Sequence, residues 1–317
     1  MSEQGESSDG IGPTMRAIRL HAPGEADDLR LETVETPHVG AGEALVRVHA
    51  AAITRDELSW PLDRLPAIPS YELSGEVVDL PPGVDAVAVG DPVFALTAFD
   101  RDGAAAEYVA VPAALLAPRP RTLDHVSSAA IPLAGLSAWQ GLFDHGHLEP
   151  GQRVLIHGAA GGVGHLATQL ARWSGAHVIG TASAHSMEAA RGFGAHEVID
   201  GTDARLAGDL EPVDLVFDTV GGELLQRSPA VIRPGGRLVS VAEEPPETPA
   251  GIETSYFVVE PNRDELAELA RLADEGELRP AIDAVFPLAD APAAFERSDA
   301  RGKRGKVVLR VADEDPR

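Results

Sequence analysis

Two rhythms of apolar and polar positions divide the chain. Before Leu123 the apolar residues come in short alternating runs. Leu45-Val-Arg-Val-His-Ala50 alternates as a strand with one buried face does. Ser74-Gly-Glu-Val-Val-Asp79, Val89-Gly-Asp-Pro-Val-Phe-Ala95 and Ala106-Glu-Tyr-Val-Ala-Val111 read as further strands, punctuated by Pro, Gly and Asp as in Leu80-Pro-Pro-Gly83. Short strands so punctuated predict a small β-barrel or sandwich. Met15-Arg-Ala-Ile-Arg-Leu20 is the first strand, and the polar, acidic stretch from Met1 to Thr14 reads as a disordered leader. Helices begin near Leu123-Asp-His-Val-Ser-Ser-Ala-Ala130.

The second rhythm alternates strands of about five residues with helical spacing. Val154 to Ile156, Ala176 to Ala182, His196 to Asp200, Val213 to Asp218 and Gly236 to Ala242 are the strands. His165 to Arg172, Met187 to Phe193 and Leu224 to Val231 are the helices. This order predicts an α/β doubly wound parallel sheet covered on both faces, with ligands at the carboxyl ends of its strands. Those ends are Ser183, Asp200, Asp218-Thr219 and Val241-Ala242.

Between the first of these strands and its helix lie Gly158, Ala159, Ala160, Gly161, Gly162, Val163 and Gly164. Strand, glycine turn and helix together specify a Rossmann dinucleotide site, where a glycine turn without that setting does not. Gly158 permits the tight turn, Gly161 and Gly162 admit a pyrophosphate, and Gly164 lets the helix pack close with its N-terminal amides toward the phosphates. An NAD site places an acid about twenty residues beyond the first glycine. Here that region reads Gly180-Thr-Ala-Ser-Ala-His-Ser186, with no acid before Glu188. Ser183, His185 and Ser186 offer donors to a 2′-phosphate, or the serines cap the next helix; NADPH is the expected cofactor.

Composition narrows the partners. Among 317 residues, 50 acidic against 26 basic side chains give a net charge of −24, unsuited to nucleic acid or an anionic membrane. No stretch approaches the ~20 apolar residues of a membrane span. The absence of cysteine excludes disulfides, thiolate nucleophiles and every Cys-containing zinc site, and fits a cytoplasmic enzyme. Asp144-His-Gly-His147 reads as polar side chains at the surface before a turn rather than a ligand pair.

The order of these motifs resembles a known family. A β-rich region with Gly-Asp-Pro-Val, then Ala-Ala-Ile-Pro-Leu-Ala-Gly-Leu-Ser-Ala-Trp139, the glycine turn, and a closing Arg301-Gly-Lys-Arg-Gly-Lys-Val-Val-Leu309 is similar to the medium-chain dehydrogenase/reductase superfamily. More narrowly it resembles the zinc-independent quinone oxidoreductase branch. The resemblance implies a GroES-like catalytic domain over 15–135, completed by 282–317, and a Rossmann NADPH-binding domain over 136–281. Zinc-dependent relatives carry Cys, His and Cys or His ligands at positions that here hold Thr54, Tyr71 (in Ser70-Tyr-Glu72) and about Ala134. Three such residues do not make a zinc site, so no metal is expected. Without one, hydride delivery suits a conjugated acceptor, a quinone or an enone, whose anion is delocalised and needs only hydrogen bonds and a proton source.

The acceptor pocket is expected to draw on Thr54, Asp56, Trp60 and Tyr71, with the Tyr71 phenol near its ordinary pKa of about 10 as proton donor. Core packing for the two aromatics, and turn or helix capping for Asp56, are the alternatives. Asp218, Thr219, Val241 and Ala242 are expected against ribose and nicotinamide. The resemblance places Phe257, Val258 and Val259, in Tyr256-Phe-Val-Val259, near the nicotinamide carboxamide. The same segment also reads as an edge strand able to pair two copies into a homodimer. A small molecule is the expected substrate. Two other readings stay open: a tailoring enzyme of secondary metabolism acting as enoyl-thioester reductase or cyclase, and a cofactor-holding binding protein with little turnover.

Overall fold

The computed structural model describes residues 11–60, 63–201, 210–300 and 302–312. An antiparallel pair, β1 (Thr14–Leu20) and β2 (Leu29–Glu35), precedes the barrel strands. These are β3 (Glu43–Ile53), β4 (Glu72–Asp79), β5 (Pro92–Leu96), β6 (Tyr108–Pro112) and β7 (Ala117–Pro118). Two short helices, α1 (His125–Ala129) and α2 (Pro132–Trp139), lead into the second half. There β8 (Arg153–His157), α3 (Gly164–Trp173), β9 (His177–Ala182), α4 (Met187–Gly192), β10 (Glu197–Asp200), β11 (Val213–Asp218), α5 (Gly222–Arg227), β12 (Ile232–Ser240), β13 (Glu253–Tyr256) and α6 (Arg263–Asp274) follow in turn. The chain closes with β14 (Ile282–Pro287), α7 (Ala291–Asp299) and β15 (Lys306–Arg310).

The second half is a six-stranded sheet of order β10-β9-β8-β11-β12-β13, parallel at every pairing. Its order reverses direction between β8 and β11, where a doubly wound sheet opens a crevice at its carboxyl edge. The apolar run of β8 is continuous because both its faces are covered. Val154 and Ile156 pack into one core with Leu166, Leu170 and Phe217, while Leu155 packs into another with Ile179, Val216 and Leu238. Each such side chain contributes about 1.5–3 kcal/mol when fully buried.

The barrel sheet runs β14-β15-β3-β4-β5-β7, with β6 on β3. The C-terminal β15 pairs antiparallel with β3, Val307 opposite Ile53, so the last strand lies beside the end of β3.

Four elements depart from the sequence expectations. Residues 1–10 of the expected leader lie outside the described residues, but its last part is structured. Thr36 donates from its hydroxyl to the Gly12 carbonyl at 2.7 Å, and Thr14 opens β1 opposite Glu35. Polar composition there conceals backbone pairing. Val89 to Asp91 form a turn rather than strand, with Gly90 at φ +92° and the Asp91 carboxylate accepting the Ala88 amide at 2.8 Å. The expected helix to Val231 ends at Arg227, and a 3₁₀ turn with Pro229 near its start continues; proline lacks the N–H an α-helix needs. The edge strand ends, rather than begins, at Tyr256, because Phe257 turns inward and stacks on His145 at 4.3 Å.

Candidate active site

At the end of β8 the chain turns through Gly158 at φ +73°, the left-handed region that glycine alone enters freely. A Cβ on Gly164 would stand 2.0 Å from the Gly158 carbonyl, so only glycine lets α3 begin this close to its strand. At Gly161 a Cβ would be 3.1 Å from the same oxygen, and Gly162 faces the Lys306 stem. Ala159 and Ala160 are buried: the Ala159 amide donates to the Thr181 carbonyl at 2.9 Å, and the Ala160 carbonyl accepts from the Gly305 amide at 3.0 Å. Val163 immediately precedes α3, whose positive end faces the turn. His165 lies behind it, Nδ1 2.9 Å from the Gly161 carbonyl and Nε2 accepting the Ala281 amide at 3.0 Å. Burial pushes its pKa down to about 4, so the ring is neutral with Nδ1–H as donor.

At the end of β9, Ser183 and His185 are exposed and Ser186 is buried. The Ser183 hydroxyl donates to that of Ser186 at 3.2 Å, and Ser186 makes no side-chain cap to α4. Asp200, ending β10, is paired in register with Ala182.

At the ends of β11 and β12 the residues expected near ribose are engaged within the protein. The Asp218 carboxylate is fully buried and takes the Gly221 amide at 3.0 Å and the Ser240 hydroxyl at 2.9 Å; burial raises its pKa. It holds its own turn. Thr219 likewise donates to the His157 carbonyl at 2.7 Å. The Val241 amide donates to the Asp218 carbonyl and the Ala242 amide to the Ser240 hydroxyl, both at 3.1 Å, so this wall is braced through backbone. Phe257 and Val259 are buried, while Val258 is 61% exposed.

On the barrel side the half-buried Thr54 sits at the end of β3. Its hydroxyl donates to Glu72 Oε1 at 3.1 Å and accepts from Lys306 Nζ at 3.0 Å. Lys306 and Glu72 also pair directly, and the second Glu72 oxygen accepts the Leu133 amide at 3.0 Å. The neighbouring Glu57 is buried, accepting the Thr54 amide at 3.2 Å and the Ser70 hydroxyl at 3.5 Å. Burial pushes its pKa up to about 8.

The structure corrects two acceptor-side expectations. Asp56 adopts φ +64° in a turn, its side chain 75% exposed and its carboxylate 4.0 Å from Arg55; it touches nothing in the site and caps nothing through its side chain. Tyr71 is fully buried between Trp60 and Phe99, with ring centroids at 5.9 and 5.3 Å. Its phenol oxygen accepts from Arg64 Nη2 at 2.8 Å, and burial pushes its pKa up to about 12 rather than leaving it near 10. Trp60 remains 39% exposed, and Ala134 is buried in α2. Sequence reasoning missed Glu57, Glu72, Lys306 and Arg64. Two carried a signal: Glu72, an acid within the Ser70-Tyr-Glu72 motif, and Lys306, within the closing motif.

Zinc does not fit this donor set. Thr54, Tyr71 and Ala134 supply no imidazole or thiolate, and the Lys306 ammonium already lies between Thr54 and Glu72. Among the described residues no cluster of three metal-ligating side chains exists. A dinucleotide does fit: a Cβ at Gly162 meets nothing nearer than 3.5 Å, leaving the helix N-terminus approachable.

Residues 40–121 match the alcohol dehydrogenase GroES-like domain, and 193–309 the family described as zinc-binding dehydrogenase. A probable zinc-binding oxidoreductase, mitochondrial, of Arthroderma benhamiae is 30% identical over 95% of this chain and 98% of its own. An NADPH-dependent alkenal/one oxidoreductase, chloroplastic, of Arabidopsis thaliana is 31% identical over 94% of this chain and 80% of its own. The quinone oxidoreductase of Coxiella burnetii superposes with a TM-score of 0.86 at 32% identity, over 94% of this chain and all of that one. With the GroES-like barrel, the six-stranded Rossmann sheet and these relatives together, the chain belongs to the medium-chain dehydrogenase/reductase superfamily and is an oxidoreductase of that kind.

Proposed function

We propose that the protein is an NADPH-dependent, zinc-independent reductase of a small conjugated acceptor, a quinone or an enone. The observation that carries this reading is the Lys306 ammonium fixed between Thr54 and Glu72, at the aligned position of the first metal ligand. A bound reduced nicotinamide supplies the hydride. The glycine turn and α3 hold the pyrophosphate, and Ser183 and Ser186 leave the 2′ position free of like charge. Thr54, once its hydroxyl turns from Glu72, which Lys306 continues to hold, donates to the acceptor oxygen beside the Lys306 cation, which favours the negative charge that develops there. Trp60 forms an aromatic wall. The alkenal/one and quinone names of the relatives support this acceptor class.

A panel of quinones, enones, enoyl thioesters and simple ketones with NADPH, before and after exhaustive chelation, tests the proposal. Reduction of a conjugated acceptor that survives chelation is expected. Turnover only of simple ketones, restored only by zinc, overturns it. Binding of NADPH with no turnover of any acceptor favours the cofactor-holding reading instead.

A further inference from the structure

The chain has 26 basic residues among 50 acids, yet three cations fall within four positions: Lys303, Arg304 and Lys306. They lie on the turn that leads into β15, and its backbone is fixed at several points. The Gly305 amide donates to Ala160 of the glycine turn at 3.0 Å, the Lys306 amide to Ala281 at 2.9 Å, and the Arg304 amide to Asp283 Oδ1 at 2.9 Å. Gly305 is at φ +79°, and a Cβ there would stand 2.0 Å from the Ala281 carbonyl. The three cations leave this turn in different directions. Lys306 enters the barrel to Glu72, and Lys303 folds back onto Ser298, its ammonium 3.1 Å from that hydroxyl. Arg304 reaches across to the loop after β9, where its Nη2 donates to the His185 carbonyl at 2.5 Å.

That carbonyl takes one of the five N–H donors of the guanidinium. Asp283, the acid beside its backbone, is instead engaged by the Arg297 side chain at 2.6 and 2.9 Å. Among the described residues Arg304 makes no ion pair, although the chain is strongly acidic. Its guanidinium therefore stands exposed and un-neutralised against the Ser183–Ser186 loop, where an NAD-binding chain would carry an acid.

We propose that Arg304 is the residue that selects NADPH, clamping the ribose 2′-phosphate together with Ser183. This deepens the NADPH reading above and rests on it. The planar guanidinium fork matches two phosphate oxygens, and among the described residues its donors bond only the His185 carbonyl. Because Arg304 belongs to the segment continuous with β15 and the barrel, the 2′-phosphate ties that segment to the Rossmann sheet.

The test is equilibrium binding of NADPH and NADH by nicotinamide fluorescence, and of adenosine 2′,5′-bisphosphate and AMP by calorimetry, to wild type, Arg304→Gln and Arg304→Lys. Arg304→Gln should weaken both 2′-phosphorylated ligands at least tenfold and leave NADH and AMP within about twofold, with Arg304→Lys between. Equal weakening of all four ligands, or a wild-type preference that persists in Arg304→Gln, overturns the role of Arg304 alone. A wild-type protein that binds NADPH and NADH alike overturns the NADPH reading and the Arg304 role with it.

Discussion

Lys306 of β15 and Glu72 of β4 form an ion pair that bridges over Thr54 at the end of β3, the strand between theirs. Lys306 is 4% exposed and Glu72 fully buried. Removing one member of a buried pair leaves an uncompensated charge, which costs about 3–5 kcal/mol, whereas replacing both is far milder. Lys306→Met should therefore destabilise by that amount, and Lys306→Met with Glu72→Gln should recover most of it. Denaturant unfolding of the two single variants and the double variant measures the coupling. Additive losses would show that the two side chains act independently.

Glu57 supplies a pH dependence of opposite sense to that of an ordinary carboxylate. Its folded pKa, about 8, lies above the ordinary carboxyl value of 4.5 because burial penalises the ionised form. Between these values the folded state holds a proton that the unfolded state has released. Its contribution is complete below about pH 4.5 and is lost as pH rises through about 8. Glu57→Gln, which mimics the neutral acid, should flatten the decline in stability across that window and stabilise the protein by one or more kcal/mol at pH 8. Thermal unfolding of both proteins from pH 5 to 9 reads this directly, and parallel pH profiles would refute it.

The nucleotide side was legible because its sequence signals are local. A strand covered on both faces must be continuously apolar, and Val154, Leu155 and Ile156 are. Gly158 and Gly164 are each required by a backbone conformation or contact within a few residues. The barrel side depends instead on strand order. Lys306, Thr54 and Glu72 meet only because β15, β3 and β4 are neighbours, which no local pattern states. Adjacent acids show the limit most sharply. In Thr54-Arg-Asp-Glu57 nothing distinguishes Asp56 from Glu57 until the turn at Asp56 sends one carboxylate to solvent and the other into the core.

Gly161 tests the pyrophosphate role of the turn. A Cβ there would be 3.1 Å from the Gly158 carbonyl, a contact that a shift of a few tenths of an ångström relieves. Gly161→Asp should therefore fold, yet it places a negative charge at the N-terminus of α3 where phosphate would bind. Loss of measurable NADPH binding with an unfolding transition near that of wild type is expected. Retained affinity would remove the phosphate from this turn.

The Tyr71 phenol is held by Arg64, whose Nη2 also donates to the Phe99 and Arg101 carbonyls at 2.6 and 2.8 Å. Tyr71→Phe removes one of three acceptors from a cation that keeps the other two, a loss of about 1–2 kcal/mol in stability. Because the ring is fully buried and its hydroxyl is already bonded, kcat with the best acceptor should stay within about threefold of wild type. A fall of two to three powers of ten, the loss seen when an oxyanion donor is removed, would instead make Tyr71 the proton donor.

The free edge of β13 bears on assembly. It pairs only with β12 among the described residues, and Tyr256 and Val258 beside it are 42% and 61% exposed. An open edge flanked by exposed apolar side chains is a site for pairing with a second chain. In a two-fold dimer the same edge serves both subunits, so a single substitution acts twice. Val258→Arg would set two guanidinium groups facing one another in that interface while leaving the monomer core untouched, since Val258 contributes little to it. Light scattering should give twice the chain mass for wild type, and a shift toward the single chain mass for Val258→Arg with its secondary structure unchanged. A wild-type protein that stays monomeric at high concentration would show that this edge is left unpaired.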